Sequence, residues 1–155
     1  MKINRTKLAR IAGVILLTTL SGASSLLRAD SGTCNGAGIT IPFTDVAGNQ
    51  FFCQIAEAYL SGLTNGTSAV TYSPHAPVPR EQMAAFIVRA LGEFNPPMPL
   101  SQRFLDVPPA NGFYNFIDRL AALQITQGCG GGNFCPGSAV TRGQMAAFVV
   151  RAFNL

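Results

Sequence analysis

The sequence predicts an all-α protein, in which two tandem helix-loop-helix repeats pack as a small bundle after an N-terminal signal peptide. Three observations predict this class: a segment of 13 residues that occurs twice, apolar residues at helical spacing within each copy, and a basic start followed by an apolar run. A chain of 155 residues has the length of one ordinary domain and can bury a core of moderate size.

The duplication is the strongest signal in the chain. Residues 78–90 (VPREQMAAFIVRA) and 140–152 (VTRGQMAAFVVRA) agree at 10 of 13 positions with an offset of 62. Upstream, 43–46 (FTDV) recurs as 104–107 (FLDV) with an offset of 61. A single inserted residue between these matches accounts for the change of offset, so the chain contains two copies of one unit.

The composition between the copies separates them. Residues 92–103 (GEFNPPMPLSQR) hold three prolines and are typical of a linker. The predicted partition is a signal peptide at 1–29, an N-terminal extension at 30–42, a first repeat at 43–91, a linker at 92–103 and a second repeat at 104–153.

Each copy has the pattern of two short helices with an irregular loop between them. In the second copy Gly and Pro make up five of the nine residues of 128–136, too many for a helix interior. Thr141 lies three residues before Gln144, which is the spacing of a capping box. The second helix of this copy is therefore expected to begin near Arg142.

The first 29 residues resemble a secretory signal, because a basic start precedes the apolar run 11–20 and then small residues. Cleavage after Ala23 and cleavage after Ala29 both remain open. The run is too short to span a membrane, so no membrane span is expected once the signal is removed. Beyond Ala29, six Arg face seven Asp and Glu, a net charge of −1 that excludes a basic nucleic-acid surface.

The four cysteines suit the oxidising compartment that export implies. Cys129 and Cys135 align with Thr67 and Ser73 of the first copy, so both are absent together, as expected of a pair that closes one loop. We therefore expect Cys129 to pair with Cys135 and, by default, Cys34 with Cys53. A zinc site is the competing interpretation, but the only histidine, His75, lies in the other repeat.

Catalytic chemistry has little support in the sequence. His75 has no nucleophile marked near it, and each first helix carries one carboxylate, Glu57 or Asp118, where glycosidases need a pair. We expect no enzyme activity, no catalytic residue, no cofactor and no metal.

The order of motifs resembles the S-layer homology repeat of bacterial cell-surface proteins: Phe-x-Asp-Val, a helix such as FYNFIDRLAALQIT, a Gly-rich loop ending in Phe-x-Pro, then VTRGQMAAFVVRAF. The resemblance covers 43–91 and 104–153. It implies a secreted or cell-envelope module that binds an anionic wall polysaccharide non-covalently. Family members commonly carry three such repeats, whereas this chain shows two, so the alternative is an assembly module completed by a second copy or another repeat-bearing chain.

Three pairs of equivalent residues are the candidate ligand contacts. Arg80 and Arg142 are expected in the first turn of a helix, where the positive end of the dipole makes a cation unfavourable unless an anion lies nearby. That anion is either an acidic sugar of the ligand or the chain's own Asp45 and Asp106, and the sequence leaves both open. Phe51 and Phe113 stand where the family often has tryptophan and are expected to stack on sugar rings.

Overall fold

The computed structural model describes residues 28–155, so the signal-peptide prediction falls almost wholly outside the described residues. Two strands precede four helices. Their bounds are β1 Asp30–Cys34, β2 Ala37–Ile41, α1 Phe52–Leu60, α2 Arg80–Ala90, α3 Tyr114–Ala122 and α4 Arg142–Phe153. None of the helices within 28–155 is long and apolar enough to cross a membrane.

The two strands show that the all-α prediction is wrong. β1 and β2 pair antiparallel, with Asp30 opposite Ile41 and Cys34 opposite Ala37. The connecting residues Asn35 and Gly36 both have positive φ, 51° and 82°, the conformation that two-residue hairpin turns require. Asn-Gly is the strongest short-range hairpin signal, and it lies in the segment assigned to the N-terminal extension, 30–42. The fold is therefore mixed, with a hairpin in front of the helices.

The helices follow the duplicated sequence, and we call residues 43–91 the first unit and 104–153 the second unit. α1 and α3 occupy equivalent positions, as do α2 and α4. The predicted capping box is confirmed: the Thr141 hydroxyl accepts from the Gln144 N–H while the Gln144 side chain accepts from the Thr141 N–H. α4 consequently begins at Arg142, as expected. α2 begins at the equivalent Arg80 behind Pro79, without a side-chain cap.

Two clusters of buried side chains form the core. One joins the hairpin to α1 and includes Ile41, Phe43 and Ile55. The larger one joins α2 of the first unit to the second unit, and it includes Val88 and Leu120. The second helix of the first unit is therefore packed mainly against the second unit.

Both disulfides that the sequence favoured are present. Cys129–Cys135 closes the Gly-rich loop of the second unit. Cys34–Cys53 ties the end of β1 to the first turn of α1, so it fixes the hairpin against the first unit.

Candidate binding surfaces of the two units

The aspartates of the two Phe-x-Asp-Val motifs hold the loops and do not contact the arginines. Asp45 accepts hydrogen bonds from the backbone N–H groups of Tyr72 and Ser73 at 2.9 and 2.7 Å. Asp106 accepts from the N–H groups of the equivalent Phe134 and Cys135 at 2.8 and 2.7 Å. Each carboxylate thus satisfies two consecutive amides at the end of its unit's loop.

The two loops, residues 64–74 and 126–136, are called the first loop and the second loop. In each, the hydroxyl of a buried threonine, Thr64 or Thr126, accepts from the N–H two residues later at 3.1 Å. That N–H belongs to Gly66 or Gly128, whose φ values are +78° and +86°. A Cβ at either glycine would collide with the phenylalanine ring of the same unit's Phe-x-Asp-Val motif. Both the positive φ and this collision therefore exclude a side chain at these positions.

Arg80 crosses from the first unit into the second loop. Its Nε–H donates to the carbonyl oxygen of Phe134 at 2.9 Å, and an Nη2–H reaches that of Gly128 at 3.4 Å. The guanidinium carbon lies 5.0 Å from the ring centre of Phe134 and 5.3 Å from that of Phe148. Arg80 is only 5% exposed, and burial lowers the pKa of its guanidinium. This arginine joins the two units and presents little surface to an outside ligand.

Arg142, the equivalent of Arg80, lies in different surroundings. It is exposed at the first position of α4. Within residues 28–155 it makes neither a side-chain hydrogen bond nor an ion pair. Since no acidic residue lies in the first turn of α4, the positive helix end and the guanidinium are both available to an anion.

Phe51 and Phe113 also differ. Phe51 is 57% exposed and lines a cleft of about 450 Å³ together with Asp45, Asn49 and His75. Phe113 is half-buried and packs against the larger core cluster. The structure thus brings two of the expected ligand contacts, Asp45 and Phe51, to the wall of one cleft, and adds His75, for which the sequence predicts no ligand contact.

The remaining arginines have roles within the chain. Arg89 and Arg151 donate to the carbonyl oxygens of Leu63 and Ile125 at 3.3 and 3.1 Å, just beyond the first helix of their own units. Arg119 holds Glu93 of the linker by two hydrogen bonds of 2.6 and 2.7 Å, which lowers the pKa of that carboxyl group. Each of these arginines connects its helix to a segment that precedes it in the chain.

Comparison with known proteins identifies the second unit. Residues 103–146 match the S-layer homology domain, a cell-wall anchoring module. The chain is 36% identical over 123 residues to a cell surface protein of Thermoanaerobacter kivui, which covers 77% of this chain and 16% of that protein. It is 31% identical over 158 residues to an endoglucanase of Bacillus sp. (strain KSM-635), covering 99% of this chain and 16% of the enzyme. The chain therefore spans about a sixth of the length of these relatives.

Proposed function

We propose that this chain is a non-catalytic, exported anchoring module that binds an anionic cell-wall polysaccharide at the cell surface or envelope, and that both units are S-layer homology repeats. The observation that carries the proposal is the exposed, uncompensated guanidinium of Arg142 at the start of α4, inside the segment that matches the anchoring domain. An acidic sugar would supply the negative charge that this helix end lacks.

The exposure of each side chain decides which residues would contact the polysaccharide and which would position them. Arg142 would hold the acidic group, since a guanidinium can engage a carboxylate through two parallel hydrogen bonds. Phe51 would offer its exposed ring to the face of a sugar. Arg80, Asp45, Asp106 and Phe113 would act as positioning residues, because their side chains are engaged within the chain or half-buried.

The endoglucanase relative does not change this proposal. The aligned region is 16% of that protein, and neither of two clefts found within residues 28–155 is lined by a pair of carboxylates. Among residues 28–155, no three His, Cys, Asp or Glu side chains cluster in a way that could hold a metal ion. The similarity is accounted for by an anchoring segment attached to a larger protein.

Co-sedimentation tests the proposal directly. The protein is mixed with purified wall material before and after the acidic polymer is stripped, and we expect binding to the intact wall only. Arg142→Ala should abolish most of that binding. Arg103→Ala is the control for loss of a positive charge, since Arg103 ends the linker, is 48% exposed and pairs with Asp118 away from the start of α4. Equal sedimentation with intact and stripped walls would eliminate the acidic polymer as the ligand.

A second function is favoured by a separate observation. α2 is buried against the second unit, but its equivalent α4 leaves apolar side chains in solvent, including Val150 at 46% and Phe153 at 44% exposure. An assembly module, in which another repeat covers α4, would bury that face.

A further inference from the structure

We propose that the start of α4 in the second unit docks on the first loop of a second copy of this chain, with Arg142 inserted there as Arg80 is inserted into the second loop. This rests on the assembly function proposed above, for which it names the partner, and it does not depend on the anchoring function. The contact between the two units of one chain supplies the template, because the backbone groups and the guanidinium that it uses have equivalents elsewhere in the two units.

The template begins with backbone pairing. Residues 78–80 run antiparallel to 138–140: the Arg80 N–H donates to Ser138 at 2.9 Å and the Val140 N–H donates to Val78 at 3.1 Å. The Glu81 N–H adds a third bond, to the carbonyl oxygen of Pro136 at 3.1 Å. Together with the two carbonyls that hold the guanidinium, this is a continuous strip of backbone contacts.

The repeat offset of 62 maps this strip onto groups that are unused. On the second unit the donors become the N–H groups of Arg142 and Gly143, and the acceptor is the Val140 carbonyl. On the first unit the corresponding groups are the Val78 N–H and four carbonyl oxygens, those of Gly66, Tyr72, Pro74 and Ala76. None of these groups has a hydrogen-bond partner among residues 28–155.

The aromatic rings around Arg80 also have equivalents in the first unit. Arg80 lies between Phe134 and Phe148, which are 0% and 5% exposed. Their first-unit equivalents, Tyr72 and Phe86, are half-buried and lack a guanidinium between them. The first unit therefore has the carbonyls and the rings of a guanidinium site, and the second unit has the guanidinium.

The helix faces that would meet in the new contact correspond to those of α2 and α3 in the template. α2 buries Ala84, Val88 and neighbouring side chains against α3. On α4 the equivalents Ala146 and Val150 are exposed, and just before α1 the ring of Phe51 is exposed. On α1 itself Gln54 is exposed and Ala58 is half-buried, whereas their α3 equivalents Phe116 and Leu120 belong to the larger core cluster.

The new contact would be weaker than its template. Gln54 and Ala58 replace Phe116 and Leu120, so less apolar surface is buried. Gly143 replaces Glu81, which removes the counterpart of the 3.0 Å hydrogen bond between Asn111 and Glu81. We therefore expect reversible association that depends on protein concentration. Because the two surfaces differ, the contact is head-to-tail and yields rings or open chains.

Cross-linking in the predicted register tests the proposal. Thr141 maps opposite Pro77, as Pro79 lies opposite Ala139 in the template. One copy carries Thr141→Cys and the other carries Pro77→Cys, and both are secreted by the same host so that the native disulfides form. The two copies should form a mixed disulfide under mild oxidation. Thr141→Cys with Ser101→Cys is the matched control and should not.

Sedimentation equilibrium measures the contact without cysteines. Wild type should associate as concentration rises, and Arg142→Ala should weaken association about tenfold or more by removing charge-assisted hydrogen bonds. Arg142→Lys should give an intermediate loss, since one ammonium cannot span both carbonyls.

Four results would overturn the proposal. They are a strictly monomeric wild type at every concentration, equal cross-linking in both cysteine pairs, symmetric Thr141→Cys homodimers, and association unaffected by Arg142→Ala. The first would assign the open face to another segment of a longer protein. Polymer binding is measured separately in dilute solution, so failure of the anchoring function and failure of this contact are distinguishable.

Discussion

The first loop and the second loop solve one structural problem with different chemistry. In both, the residue after the positive-φ glycine donates its N–H to a carbonyl four residues on, Thr67 to Thr71 and Cys129 to Asn133, each at 2.8 Å. The second loop is then closed by Cys129–Cys135, whereas the first loop places a 2.8 Å hydrogen bond between the hydroxyls of Thr67 and Ser73 at the same two positions. The backbone geometry is therefore specified by the glycine and the aspartate, and the closing link is interchangeable.

The arginines differ in the opposite way, because the same residue type has different surroundings in the two units. Arg80 and Arg142 occupy equivalent positions in the duplicated segment, but one is buried between rings and the other is exposed. The difference arises because Arg80 reaches a loop of the other unit, whereas Arg142 contacts no such loop among the described residues. Contact with another unit decides the role of each arginine.

The largest expected effect comes from breaking the buried member of that pair. Arg80→Ala removes the partner of two carbonyls and opens a gap between the Phe134 and Phe148 rings, so the free energy of unfolding should fall by about 3 kcal/mol. Arg142→Ala should change it by less than about 0.5 kcal/mol. Urea denaturation followed by circular dichroism measures both. Equal losses would show that Arg142 is also held within the chain.

Substitution of the two loop-holding aspartates should give the next largest loss in the free energy of unfolding. Asp106→Ala leaves the amides of Phe134 and Cys135 unpaired in a partly buried site, and we expect a loss of about 2–3 kcal/mol. Asp45→Ala frees amides that are solvent-accessible, so its cost should be about 1–2 kcal/mol. The same denaturation experiment compares them. A more damaging Asp45 variant would mean that solvent access does not set the difference.

Exchanging the closing links sharpens the comparison of the loops. Cys129→Thr with Cys135→Ser should destabilise the protein by about 1–2 kcal/mol, the chain-entropy gain of a short disulfide loop less the hydrogen bond that replaces it. Thr67→Cys with Ser73→Cys should stabilise it by a similar amount. Thermal melts under non-reducing conditions give both values, and adding reductant should erase the second gain. Loss of the fold in the first exchange would show that the links are not interchangeable.

The smallest effect concerns the linker. Hydrogen bonds from Arg119 lower the pKa of Glu93 in the folded state, so this ion pair stabilises the fold above the unfolded carboxyl pKa of about 4.3. The contribution should disappear as the pH falls through the depressed folded value. Glu93→Gln should therefore reduce stability near neutral pH and leave it unchanged in acid. Both groups are exposed enough that salt should weaken the effect.

The sequence was most informative where a signal is local or repeated. The Thr141–Gln144 capping box located the start of α4, and alignment of the copies paired Cys129 with Cys135 correctly, which left Cys34 with Cys53 by default. The all-α class failed at the hairpin, although Asn35-Gly36 between short alternating segments was a readable signal.

Contacts between residues far apart in the chain could not be predicted from the sequence. Nothing near Asp45 or Asp106 indicates that each carboxylate will meet amides 27 to 29 residues away. Arg80 reaches a carbonyl 54 residues along the chain, although Arg142 holds the equivalent position of the duplicated segment without such a contact among the described residues. Such contacts depend on how the units pack, which composition and periodicity do not encode.

Calorimetric titration of the purified anionic polymer into dilute wild type and Arg142→Ala tests the central claim most directly, with Arg103→Ala as the charge-matched control. We predict saturable binding by wild type and by the control, weakened by salt, and binding at least about tenfold weaker for Arg142→Ala with unchanged helicity and melting temperature. Equal affinity of Arg142→Ala and wild type would contradict the account.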